Sequence, residues 1–133
     1  MTIEKIWQEL QNYDETKSSK SFQLKDLRIQ FYKGAMEIPL IAFFPSQHFD
    51  LNSSKMNEFS KLLEKQGLVL DCVTETANYK INTNDEQQYI GRITKDALKL
   101  HAIRIKELGK ECFESLISFF INPNNLFVSR NLE

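Results

Sequence analysis

The two histidines, His48 and His101, are the side chains best suited to general acid–base chemistry, because an ordinary imidazole titrates near neutral pH. His48 lies two positions before Asp50 in a polar loop, where a carboxylate could orient the ring. Neither Cys72 nor Cys112 lies near a histidine in a known local signature of a cysteine nucleophile. We therefore expect no catalytic residue, and an enzyme that uses His48 or His101 is the weakest of three hypotheses.

Short motifs that bind metal ions or phosphate groups are also missing from the sequence. No His, Cys, Asp or Glu pair has the spacing of a zinc site, and the acidic stretch 82–86 lacks the glycine of a calcium loop. The four glycines are too far apart to form a glycine-rich phosphate loop. We expect neither a metal ion nor a cofactor.

Charge is the most informative feature of the sequence. The 133 residues have a net charge of −1, yet residues 68–86 carry four acidic side chains against one lysine, and residues 87–110 carry six basic against two acidic ones. Segregated charge of this kind sets association rate and partner choice. The residues assigned to a partner-binding surface are the acidic Asp71, Glu75, Asp85 and Glu86 and the basic Arg92, Lys95, Lys99 and Lys106. Whether the acidic or the basic segment forms the interface is left open.

The spacing of apolar residues predicts the elements that must position these charges. It predicts a helix over 2–13, a polar loop over 14–21 and a hairpin over 21–45 with a bulge near Lys25-Asp26. A second helix begins at Ser53 or Ser54 and ends at Gly67. A strand to about Glu75, a weak strand near 79–81, a last helix from Cys112 and a tail over 122–133 complete the chain.

The segment 85–100 is predicted to be a helix with a basic side and an apolar side. Its apolar residues are Tyr89, Ile93, Ala97 and Leu100, and its basic residues are Arg92, Lys95 and Lys99. The alternation over 97–106 also fits a strand, but the separation of the two sectors favours the helix, with His101 on its flank.

These elements predict a single α+β domain over 1–133. We expect a small antiparallel sheet of about three to five strands with helices packed mainly on one face, in the order α-β-β-α-β-(β)-α-α. No apolar run approaches the length of a membrane span, and no secretory signal is evident, so we expect a cytoplasmic location and no membrane partner.

The function favoured by these observations is a small non-catalytic protein-binding module of the inhibitor, immunity-protein or chaperone type. Its partner is another protein, which the sequence does not identify. The alternative is an accessory protein that contacts RNA or DNA through the basic 92–110 stretch. That alternative is weaker, because no nucleic-acid-binding motif is present and acidic residues interrupt the stretch.

Overall fold

The computed structural model describes residues 2–13, 19–46, 54–73, 76–83 and 86–121, which contain four α-helices and seven strands. The helices are α1 (Ile3–Gln11), α2 (Ser54–Lys65), α3 (Ala102–Leu108) and α4 (Lys110–Ile121). The strands are β1 (Lys20–Leu24), β2 (Leu27–Lys33), β3 (Pro39–Phe44), β4 (Leu68–Val73), β5 (Thr76–Thr83), β6 (Glu86–Ile93) and β7 (Leu98–His101). A short 3₁₀ turn, Ala35–Glu37, lies between β2 and β3.

All seven strands form one sheet in the order β1-β2-β3-β7-β6-β5-β4. Every neighbouring pair is antiparallel. The sheet is therefore two meanders, β1 to β3 and β4 to β7, which join where β3 pairs with β7. This central pairing brings residues near position 41 beside residues near position 100, so both meanders contribute to the middle of the sheet.

The predicted α+β class and the outline of the predicted order are confirmed: a helix, strands, a helix, strands and two helices. The sheet is larger than the three to five strands expected, and one reason is the first hairpin. The predicted bulge at Lys25-Asp26 is wrong, because these two residues form a tight turn and Leu24 pairs with Leu27. Lys25 adopts the left-handed φ of 53° that such a turn requires. β1 also begins at Lys20, inside the segment expected to be a loop.

The helix predicted over 85–100 is wrong. Residues in that range form β6 and β7, which pair through Ile93 and Leu98 and are joined by a turn in which the Thr94 N–H donates to the Ala97 carbonyl oxygen at 2.9 Å. Gly91 favours this pairing, since a Cβ at that position would clash with the Leu100 side chain. The segment 97–106, which fitted both a helix and a strand, contains parts of both: β7 ends at His101, and α3 follows it.

The burial predicted for that segment is nevertheless correct at most positions whose side chains the structure describes, although Lys99, which was expected to be exposed, is half-buried. Ile93, Ala97 and Leu100 are buried, whereas Arg92 is exposed. Because four turn residues separate the two strands, the apolar residues before and after the turn are spaced in the sequence as they would be on one side of a helix. His101 lies at the end of β7, and its predicted position on a helix flank is wrong.

The hydrophobic core lies against one face of the sheet, and we call this face the inner face. Phe43 of β3 lies with its ring centroid 6.2 Å from that of Phe113 and 5.7 Å from that of Phe120, both on α4. Trp7 of α1 packs on Phe113 at 5.2 Å, and Phe59 of α2 packs on Phe120 at 5.3 Å. The aromatic side chains of α4 therefore connect the sheet to α1 and α2.

Polar contacts hold α1 in place at both ends. The Lys5 backbone N–H donates to Thr2 Oγ1 at 3.1 Å, which caps the start of the helix. Glu9 forms an ion pair with Lys20 of β1 at 2.9 Å, and Glu4 pairs with Lys110 at the start of α4. Because the residues joined by the last pair are 106 positions apart, α1 connects the two ends of the described chain.

Candidate functional site: the outer face of the sheet

The second face of the sheet, which we call the outer face, consists of the side chains that alternate with the core residues. In β2, for example, Leu27, Ile29 and Phe31 are buried, whereas Arg28 is exposed and Gln30 is half-buried. The described side chains of the outer face are Ser21, Gln23, Arg28, Gln30, Tyr32, Leu40, Ala42, Phe44, Arg92, Lys99 and His101.

One row of paired positions crosses this sheet from edge to edge. It takes one residue from each strand, in the order Ser21, Gln30, Ala42, Lys99, Arg92, Asn78 and Asp71. Three of the residues assigned to a partner surface from the sequence therefore share a row. Arg92 and Lys99 are direct cross-strand partners, and Asp71 occupies a backbone position two strands from Arg92.

The outer face is positively charged in the part of it that is described. Its described side chains include Arg28, Arg92 and Lys99 and no carboxylate. Within the described chain none of these three forms an ion pair, whereas four cations elsewhere do. The Arg28 guanidinium instead lies 4.0 Å from the centroid of the Phe44 ring and donates to Gln30 Oε1 at 2.8 Å. A cluster of cations without a carboxylate partner among the described residues favours an anionic partner.

A depression of about 180 Å³ lies in the centre of the outer face. Its lining residues are Ala35, Ile38, Leu40, Gly91, Arg92, Lys99 and His101. The apolar side chains come from β3 and the turn before it, and the basic ones come from β6 and β7. The depression is therefore apolar on one side and cationic on the other.

Burial changes the titration of two aromatic residues of the outer face. It lowers the pKa of His101 below the ordinary 6.5, and the positive charge of Arg104 lowers it further. The imidazole is therefore mostly neutral at pH 7. Burial raises the pKa of Tyr32, and the charge of Arg92 opposes this shift in part.

The turn beside the depression exposes an apolar side chain in an unusual backbone conformation. Met36 has 90% of its surface exposed, and its φ of 59° is left-handed. Glu37 follows with a φ of 61°, and its carboxylate pairs with Lys33 at 3.0 Å. Ile38, which lines the depression, is 37% exposed. Left-handed conformations cost free energy in residues other than glycine and collect at functional sites.

The other residues assigned from the sequence are dispersed. Lys95 is exposed in the turn between β6 and β7, Lys106 is half-buried on α3, and Glu86 begins β6 opposite Thr83. Glu75, Asp85 and His48 lie outside the described residues, as does the tail 122–133.

The basic stretch 92–110 does not form one continuous surface. It runs over two strands, a turn and two helices, and two of its cations are occupied by carboxylates. Arg104 pairs with Glu107 at 2.7 Å, and Lys110 pairs with Glu4. Only Arg92 and Lys99 of this stretch reach the described outer face, where Arg28 joins them from β2.

Sequence reasoning did not identify Arg28, Tyr32 or Met36 as parts of a site. The spacing of Arg28, Gln30 and Tyr32 at every second position was the available signal, since it places them on one side of a strand. Nothing local in the sequence indicates that this strand lies two positions from Lys99 in the sheet.

The described residues contain no group of three or more His, Cys, Asp or Glu side chains that could hold a metal ion. Cys112 is buried in the core, and burial raises the pKa of its thiol to about 11. The thiol is therefore protonated and unreactive at neutral pH.

No family model, curated protein or solved structure matches this chain. Across the described ranges, every helix is too short or too polar to cross a bilayer.

Proposed function

We propose that this protein is a non-catalytic binding module that docks an acidic segment of another protein on its outer face. The observation that carries the proposal is the combination of Arg28, Arg92 and Lys99, which have no carboxylate partner among the described residues, with the exposed aliphatic side chains of Met36 and Ile38. Charge steers the encounter and selects the partner, and burial of aliphatic surface supplies affinity.

A protein fits this surface better than a nucleic acid does. Binding of single-stranded RNA or DNA relies on aromatic rings whose faces stack on bases. On the outer face the ring of Phe44 is already covered by the Arg28 guanidinium. Tyr32 is only half-exposed, while the large exposed residue of this region is Met36, a flexible side chain typical of surfaces that adapt to a protein partner.

Catalysis is not supported at the depression. His101 is its one general base candidate, and the described residues that line it include no serine, cysteine or carboxylate that could act as a nucleophile. Burial, and after it the charge of Arg104, lowers the pKa of His101, so the ring is a neutral polar group with no nucleophile to activate among the described lining residues.

The proposal keeps the cytoplasmic location expected from the sequence. Its support is the buried free thiol of Cys112, which suits a reducing compartment. An inhibitor, an immunity protein or a chaperone would each use a surface of this kind.

The experiment titrates the ¹⁵N-labelled protein with three probes at low salt. The first is a peptide of alternating Glu and Leu with an amidated C-terminus, the second is a Lys and Leu peptide of equal length, and the third is a single-stranded RNA oligonucleotide. We expect only the acidic peptide to shift the amide resonances of β3, β6 and β7.

Charge reversal then locates the binding surface. We expect the double variant Arg92→Glu with Lys99→Glu to weaken the acidic peptide at least about tenfold, because two favourable charged contacts become repulsive. The matched control is Lys61→Glu with Lys65→Glu on the exposed side of α2, which changes the net charge equally. Equal weakening in both variants, no binding of the acidic peptide, or preferential binding of RNA would overturn the proposal.

A further inference from the structure

We infer that the central depression binds the C-terminal residue of the partner, with its carboxylate on the cationic side and an aliphatic side chain on the apolar side. The inference rests on the proposed function, since it names the group of the partner that anchors it. Its basis is the two-sided lining of the depression: Arg92 and Lys99 on one side, and Ala35, Ile38 and Leu40 on the other.

The cationic side is suited to a carboxylate. Arg92 and Lys99 are direct cross-strand partners, so their side chains start from neighbouring positions on the same face. A guanidinium can bind both oxygens of a carboxylate, and an ammonium adds a point charge beside it. Neither cation forms an ion pair within the described chain, so a ligand does not have to displace a carboxylate of the described residues.

The apolar side lies beside the cationic side at a distance that one amino acid can span. Leu40 pairs with His101 across β3 and β7, and Arg92 stands one strand beyond Lys99. Neighbouring strands are about 4.8 Å apart. The charged group and the apolar group of a ligand must therefore be separated by about the distance between adjacent strands. In a C-terminal leucine or isoleucine the carboxylate and the side chain diverge from a single Cα, which satisfies this requirement.

The size of the depression agrees with one residue. Its volume is about 180 Å³. A carboxylate and a four-carbon side chain fit in such a space. Gly91 contributes backbone to the lining, next to Arg92 on β6.

The test uses the full chain and the peptide acetyl-Ala-Ala-Leu with a free carboxylate. We expect saturable shifts of the Gly91, Lys99 and His101 amide resonances, and we expect the C-terminal amide of the same peptide to bind at least about tenfold more weakly. Equal binding of the acid and the amide would overturn the inference.

Variants on each side of the depression separate its two functions. Lys99→Gln should weaken the free-acid peptide at least about tenfold and leave the amide unchanged. Ile38→Ser should weaken acetyl-Ala-Ala-Leu more than acetyl-Ala-Ala-Ala, because it removes apolar contact to the longer side chain. Lys61→Gln on α2 is the matched control and should change neither affinity. Loss of both contrasts would overturn the inference even if the peptide binds.

Two further probes identify other ligands. If inorganic phosphate binds more tightly than the peptide, the site recognises a bare anion, and if 4-methylpentanoate binds as tightly, it recognises a small free acid. Either result overturns the assignment to a C-terminal residue. If the amidated Glu and Leu peptide binds the outer face while acetyl-Ala-Ala-Leu does not bind, this inference fails and the proposed function stands; if neither binds, both fail.

Discussion

Along each strand of the sheet, successive side chains point alternately to the inner and to the outer face, so the two faces are built from neighbouring residues. On the inner face, Ile29, Phe43, Leu98 and Ile93 form a row of paired residues that are all fully buried. The residue next to each of these in the sequence points to the outer face. These neighbours form the adjacent outer row, which consists of Gln30, Ala42, Lys99 and Arg92. A slip of one residue in any strand would exchange the two rows. The inner row therefore determines the register, and the outer row can vary to recognise a partner.

The largest effect that this comparison predicts follows from shortening an inner residue. Phe43→Ala removes a ring that packs on both Phe113 and Phe120, so we expect a loss of about 3–5 kcal/mol in the free energy of unfolding. Arg92→Ala on the outer face should change it by no more than about 0.5 kcal/mol. Urea denaturation of both variants measures the difference, and similar losses would show that the outer face is also part of the core.

A smaller effect, with an informative sign, is expected at Gly91. In a strand paired with β7, an added Cβ would clash with Leu100 and with the Lys99 carbonyl oxygen, so Gly91→Ala should lower the free energy of unfolding by about 1–3 kcal/mol. In a helix the same substitution would raise it by about 1 kcal/mol. Chemical denaturation decides between the two, and a more stable variant would contradict the pairing of β6 with β7.

The smallest effect concerns the dependence of stability on pH. Because the folded-state pKa of His101 lies below 6.5, the unfolded chain binds more protons than the folded protein between these two values. The free energy of unfolding must therefore fall as the pH falls through that window. When the pH is lowered from about 7.5 to about 5.5, we expect the Tm of the His101→Gln variant to decrease less than the Tm of the parent protein. Parallel thermal melts test this, and equal losses would show that His101 titrates normally.

Three helices could be predicted from the sequence because their signals are local. The apolar stripes of α1, α2 and α4 follow the period of a helix, and Gly67 and Gly109 end helices with the left-handed φ expected of them. The segment of β6 and β7 could not, because strand pairing depends on distant residues and the turn at Thr94–Ala97 reproduces a helical pattern.

The candidate site was predicted in part and for a reason that proved wrong. Arg92 and Lys99 were expected on one surface as neighbours on a helix, and they share a surface as partners across two strands. Arg28 and Met36 could not be added, because their proximity to that pair arises from the pairing of β3 with β7. Such a contact between positions about 60 residues apart has no local signature.

The contacts of α1 also affect the order in which the chain can fold during synthesis. A helix of nine residues is too short to be stable alone in water, and the ring that covers Trp7 belongs to α4. The ribosome makes α1 before α4, and this packing partner emerges more than a hundred residues later. The core therefore closes only after α4 has been released. Trp7 is the only tryptophan of the 133 residues, so its fluorescence reports the packing of α1 on α4.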